Sequence, residues 1–541
     1  MKRIPFFALL AALLSSSGCS RFLSLPGGDA GQGTGWDAAP QVPVDDTGRL
    51  LDTLGSLDMS VPNTDQSLDT PPPNTDQSLD TPPLSADQSL DTPPIPADQN
   101  APMPDTGGAP QNVTYGESRG FGGGLSDVVR ALALDTAGNI VVAGSFENTV
   151  NFGGSPLTSA GDKDIFLASY DSAGAHRWSK RFGNTGVDYG LGVTVDVNGN
   201  ITFTGYFRGA IDFGGGLLTS AGDSDIFLAN YDRQGAHRWS KRFGGTRVEG
   251  GNDVALDSAS NIFVVGYCES TTNFGGGNLT GQNGTDVFLA SYDLNGAHRW
   301  SKRFIGSSYD YAGRLAVDPS GNIAITGYLQ GTTEFGGGPL ISAGSFDVFV
   351  ASYNPAGAHR WSKRMGGSSS DEGHAIAVDG AGNVAVSGYF GDTVDFGGGA
   401  LTSSDANHDA FLVSYSPTGA HRWSKQFNTG PYETAHDMAI DSASNIIVTG
   451  HYKGTVGFGG APLASTGDND IFLLSYDSAG AHRWSKRFGG VLDDAGMAVG
   501  IRGSGAVVVA GYFEGTVDFG GGALVSAGGV DGFILQLDPQ P

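Results

Sequence analysis

Residues 191–245 decide the fold: LGVTVD (191–196), VNGN (197–200), ITFTGYF (201–207), then DIFLANYD (225–232) and HRWSKRFGG (237–245). The first and third strings are apolar, β-branched and aromatic, and a tight Asn-Gly turn separates them, so they predict a hairpin. The last two predict a second hairpin around Arg233-Gln234-Gly235. Four strands, here a to d, therefore fill one unit, and no stretch of it has helical period.

The unit recurs. AHRWSK places Trp at 178, 239, 300, 361, 423 and 484, a spacing of 61 or 62 residues. A glycine followed within a few residues by an FGG string stands at 144, 205, 266, 327, 388, 450 and 511. A four-stranded unit of this period specifies a propeller blade. The expected fold is thus all-β, a seven-bladed β-propeller of four-stranded antiparallel blades. The landmarks number six and seven because the last unit stops at FILQLD, its strand c, while NVTYGESRGFGG from Asn112 sits in the register of a strand d. Residues 112–121 are therefore expected to pair with 533–538 and close the ring, which removes an open edge.

These units resemble the bacterial seven-bladed β-propeller (SBBP-type) repeat family, whose pattern runs D-x-x-G-N, an aromatic-containing strand, D-x-F, and W-S before G-G. The matching strings are DVNGNITFTGYF, DIFLANYD and HRWSKRFGG. The resemblance implies the fold and an extracytoplasmic setting, and no shared reaction.

Upstream, residues 1–18 read as a signal peptide: Lys2 and Arg3, an apolar run too short to span a bilayer, then small residues. LLSSSGC resembles a bacterial lipobox, with Ser16 departing from its usual aliphatic residue, and implies acylation of Cys19, palmitate included. Cys268 is the other cysteine. Residues 19–111 read as a disordered acidic tether, because an eleven-residue unit (NTDQSLDTPP) repeats with prolines that a helix does not tolerate. The expected location is the bacterial envelope, at the outer membrane or cell surface. With 42 acidic and 26 basic side chains in residues 112–541, nucleic acid is an implausible partner.

Repeated polar residues supply the candidate sites. Asp127, Asp188, Glu249, Asp310, Asp371, Glu433 and Asp494 precede each a–b hairpin. They are expected to ring one mouth of the central channel and draw calcium or a cationic partner, or else to accept backbone donors within their own loops. Asp164, Asp225, Asp286, Asp347, Asp409, Asp470 and Asp531 precede strand c. Asp135 to Asn139 and its equivalents frame the a–b turn, as side-chain-to-backbone bonding requires. Strand d carries 17 of the 30 basic residues, read as protection of an exposed edge or as a basic perimeter for anionic polymers. His176 and its equivalents read as packing. His374 and His436 share one strand-a position in neighbouring blades and are a candidate transition-metal pair.

No strained nucleophile, zinc spacing or phosphate loop is present. The expected function is a non-catalytic binding module for a protein, glycan or cation, acting through an acidic loop face. The alternatives are a hydrolase using axial carboxylates, with Asp371/Glu372 and Asp493/Asp494 as paired candidates, and a passive structural protein of the envelope.

Overall fold

The computed structural model describes residues 113–539 except 282–283, 404–407 and 428–431. The signal peptide, Cys19 and the tether lie outside the described residues. Seven four-stranded antiparallel sheets form, each ordered a-b-c-d from the axis outward. In blade two these strands are Tyr189–Val195, Ile201–Phe207, Asp225–Tyr231 and His237–Phe243. The inner strands touch in sequence around a closed ring, with strand a of blade seven (Ala495–Ile501) returning to that of blade one (Val128–Leu134).

Blade seven takes its outer strand from the start of the domain. Val113–Phe121 pairs antiparallel with Asp531–Pro539, from Val113 opposite Pro539 to Phe121 opposite Gly532. Phe121 then packs on blade one, 5.2 Å from the Phe152 ring and 6.2 Å from Phe166.

The core lies between blades. Strand c of blade two is buried along its whole length, because each inner sheet is covered on both faces; such strands read as continuous apolar runs. One cluster joins Val141, Ile165 and Leu167 of blade one to Phe203, Phe213, Phe227 and Tyr231 of blade two. Truncating any one of these phenylalanines costs about 3–5 kcal/mol.

The most repeated polar residues are the joints of this frame. Trp178 of blade one donates its indole N–H to the Arg233 carbonyl in the c–d turn of blade two, at 3.2 Å. Trp239, Trp300, Trp361 and Trp423 make the same bond to their next blade. The turn glycine lies against that indole: a Cβ at Gly235 falls 2.9 Å from Trp178, and its φ is +80°. His237 packs beneath the FGG turn, where a Cβ on Gly215 falls 2.4 Å from the imidazole, and edge-on to Tyr231 at 5.6 Å. In the closing strand Tyr115 fills that place under Gly520 and Gly521.

The long b–c connection contains a short two-stranded ribbon, Ala210–Asp212 with Leu217–Thr219 in blade two, where the sequence suggests only a glycine-rich loop. Tyr231 ties the ribbon down by donating its hydroxyl to the Phe213 carbonyl at 2.5 Å.

Candidate binding site at the axial channel

Every inner strand carries a β-bulge at the same register, at Arg130, Leu191, Asn252, Gly313, His374, His436 and Met497. A bulge bends the strand and re-aims a side chain. It also explains the strand-b glycine landmark. A Cβ on Gly205 would fall 1.9 Å from the Tyr189 carbonyl oxygen, and Gly144, Gly266, Gly327, Gly388, Gly450 and Gly511 meet the same carbonyl at 1.9 or 2.0 Å. The bulge presses the inner strand onto the second, and only hydrogen fits between them.

The bulged residues differ from blade to blade. The same is true of the residues that open strand a (Val128, Tyr189, Gly250, Tyr311, Glu372, Thr434, Ala495), whereas their partners on strand b are mostly tyrosine (Tyr206, Tyr267, Tyr328, Tyr389, Tyr512), with Ser145 and His451 departing. These columns converge at the axis, on the side of the d–a and b–c loops.

There, Tyr267 stacks on Tyr311 at 5.3 Å and Tyr311 on Tyr328 at 5.3 Å. The parallel rings of His374 and His436 lie 6.4 Å apart. His374 Nε2 meets Glu372 Oε2 at 3.0 Å, and His436 Nε2 meets His451 Nδ1 at 2.8 Å. Burial, reinforced by neighbouring imidazoles and arginines, holds His436 well below the usual histidine range. Burial also lowers His451 to about 4, so this pair is neutral at pH 7. Tyrosine hydroxyls at the mouth resist ionisation for the same reason, Tyr189 being pushed up to about 12.

Two arginines enter the channel and are treated differently. Arg314 supplies favourable charge to Asp253 and Asp437, both otherwise raised by burial. Arg130 lies over the ring of Tyr189, 5.5 Å from its centroid, and the groups that favour its charge are Tyr189, Tyr206, Tyr512 and Tyr311. At the opposite mouth, the a–b turns of blades two to five surround a recess of about 370 Å3, reached by Thr194, Leu256 and Val317.

The seven rim carboxylates do not form a solvent-facing ring. Asp127 and Glu433 are 1% exposed and the other five 0%. Asp371 accepts the N–H of Gly367 at 2.8 Å and of Gly391 at 2.9 Å, joining the d–a loop to the end of strand b. Asp127, Asp188, Glu249 and Asp494 make the same two-sided bridge, and Asp310 bonds Gln330 N–H and the Thr333 hydroxyl. In Asp127, Asp188, Glu249, Asp371 and Asp494, backbone donors four and about twenty residues away occupy the oxygens. Burial raises Asp127 to about 8, Asp310, Asp371 and Asp494 to about 7, and Asp188 to about 6.

The carboxylates before strand c are buried too, and pair with strand-d arginines, Asp164 with Arg181 and Asp470 with Arg487 at 2.7 Å. Two blades lack the arginine: Gln426 donates to Asp409 in blade five, and in blade seven Gly120 holds the position opposite Phe533. Much of the basic strand-d edge is therefore engaged within its own blade. Asp371 and Glu372 diverge, the first into loop amides and the second onto His374, as consecutive strand residues do. Cys268 is buried and free, its thiol pushed up to about 12 by desolvation. Among the described residues no group of three or more His, Cys, Asp or Glu is arranged to hold a metal ion.

No family model matches the chain. It is similar to an uncharacterised WD repeat-containing protein, L264, of Acanthamoeba polyphaga mimivirus, 27% identical over 417 residues that cover 61% of this chain and 30% of the relative. It is also similar to the regulatory protein FlaEY of Caulobacter vibrioides, 23% identical over 415 residues, 70% of this chain and 42% of the relative. The chain thus spans less than half the length of these curated relatives. Among solved structures it is similar to the Neurospora crassa Pan2 WD40 domain, with TM-score 0.40, 11% identity, and coverage of 76% of this chain and 90% of that one.

Proposed function

We propose that this chain is a non-catalytic binding module of the bacterial envelope, held by lipid on Cys19 and extended by residues 20–111, and that it takes its ligand at the axial mouth. One observation carries the reading: the axial mouth sets bulge and strand-opening residues that differ from blade to blade beside a band of tyrosines, and none of these positions is a joint between blades. Frame positions recur because every blade needs the same joint. Positions free of that demand record what a ligand asks of each blade separately. The module surrounds its ligand with tyrosine and histidine side chains, which combine apolar faces with polar tips. The calcium-drawing rim is not part of this reading, since its carboxylates already serve backbone donors.

The test incubates the full chain with envelope polysaccharides and peptides and follows both retention and cleavage. Retention that weakens in Tyr311→Ala and His374→Ala supports the module. Cleavage abolished by Glu372→Gln overturns it in favour of the axial hydrolase. For the anchor, Cys19→Ala moves the protein from the membrane fraction to the soluble one; an unchanged distribution refutes lipidation at that residue.

A further inference from the structure

We propose that the axial mouth is a site for a small acidic sugar, its carboxylate held by Arg130 and its hydroxylated ring set among the mouth's tyrosines. The inference rests on the binding-module reading and names the ligand class.

It starts from the charge of Arg130. A guanidinium stays ionised under all ordinary conditions, so its charge must be balanced or solvated where it stands. Among the described residues Arg130 makes no ion pair, and its Nε is buried without an acceptor. Its neighbours are phenols, with Tyr189 beneath it. Arg314, in the same channel, differs in having two carboxylates, Asp253 and Asp437, within electrostatic reach, although it forms no ion pair with either among the described residues. In a chain of net charge −26, carboxylates are plentiful, and the rim carboxylates are buried rather than turned toward Arg130. With no ion pair of its own among the described residues, Arg130 keeps a planar guanidinium fork, which matches a carboxylate in two parallel hydrogen bonds.

The rest of the mouth selects the body of that anion. Tyr206, Tyr311, Tyr389 and Tyr512 are partly exposed toward the channel. Their rings offer flat apolar faces and their hydroxyls offer both donor and acceptor. Glu372, paired with His374 two residues along the same strand, adds an acceptor that repels a purely inorganic anion but suits sugar hydroxyls. An apolar acid would leave these polar tips unused. A phosphate would seek a nest of backbone N–H groups, and the nearby loop amides are spent on Asp127, Asp188 and their equivalents.

The experiment uses the full chain with four probes: D-galacturonate, D-galactose, inorganic phosphate and sulfate, in calorimetric titration and thermal melting. Galacturonate is expected to bind and to raise the melting midpoint, and Arg130→Gln to weaken it about 10- to 100-fold. Without ligand, Arg130→Gln is expected to melt at or above the wild-type midpoint, because an uncompensated cation has been removed. A clear drop in the unliganded midpoint would make Arg130 a structural joint and overturn the proposal. Phosphate or sulfate binding as tightly as galacturonate would overturn the sugar class. Galactose binding equally well would sink the role of Arg130 while leaving the module intact. If no probe binds but an envelope polymer is retained, this inference fails and the broader reading stands; if neither is retained, both fail.

Discussion

Replacing Asp371 with alanine removes the acceptor of two loop amides, Gly367 N–H at 2.8 Å and Gly391 N–H at 2.9 Å. A buried donor left unsatisfied costs about 1–3 kcal/mol. Two of them set a range of about 2–6 kcal/mol, and removing a carboxyl that burial has already pushed up to about 7 offsets part of this. A net loss of about 2–4 kcal/mol is therefore expected. A domain of roughly 430 residues unfolds with an entropy of about 0.9 kcal/mol/K, so the midpoint should fall by about 2–5 °C. Asp371→Asn keeps one oxygen acceptor and turns an amide donor toward the other N–H, so it should fall by an intermediate amount. Differential scanning calorimetry at pH 7 reads both. A midpoint within 1 °C of wild type in the alanine variant would refute the claim that these carboxylates staple the loops.

The five rim carboxyls raised to between about 6 and 8 are protonated more readily folded than unfolded, where the ordinary value is 3.8. Their contribution is full below about 4 and is lost as pH rises through 6–8. Thermal melting should thus fall from pH 5 to pH 8.5, and a flat or rising profile would contradict it. Gly205→Ala should lower the midpoint more than Asp371→Ala, because its Cβ meets backbone 1.9 Å away, and circular dichroism melting checks this. Deleting residues 113–121 strips strand d from blade seven and removes Phe121 from the seam with blade one; it should lower the midpoint and increase proteolysis of Asp531–Pro539, whereas unchanged stability would argue against ring closure there. Millimolar calcium should leave the midpoint unchanged, since backbone donors fill the rim carboxylates, and a rise of several degrees would restore the cation reading.

Blade number and strand order were legible in the chain because both follow from repetition, AHRWSK and the FGG strings marking the same two joints each time. His374 and His436 also stood out, as departures from the repeat, and the structure brings their rings together at 6.4 Å. At Asp127 and its equivalents the sequence left two readings, a ring drawing a cation or acceptors of their own loops' donors, and the hydrogen bonds favour the second. A carboxylate present in every blade suggests a ring of charge, but in at least five blades it bridges two loops through backbone donors. Arg130 is hidden for the converse reason, since its column holds a different residue in almost every blade, while the axial tyrosines repeat on strand b and look like any other β-strand aromatic. Laying the blades over one another and reading the columns that disagree would have exposed Arg130. The bulge itself leaves no trace in spacing, because all seven blades carry it; its one sequence mark is the glycine opposite.

That glycine has a consequence for how the ring changes over time. Each blade absorbs its own irregularity within a single hairpin, Gly205 making room for the bend at Leu191 and Gly388 for the bend at His374. The axis is therefore a lock of seven tumblers, each cut separately and each resting on its own spring. A crossover between two blade-coding segments, which match closely at AHRWSK, would exchange one tumbler and leave the barrel turning as before.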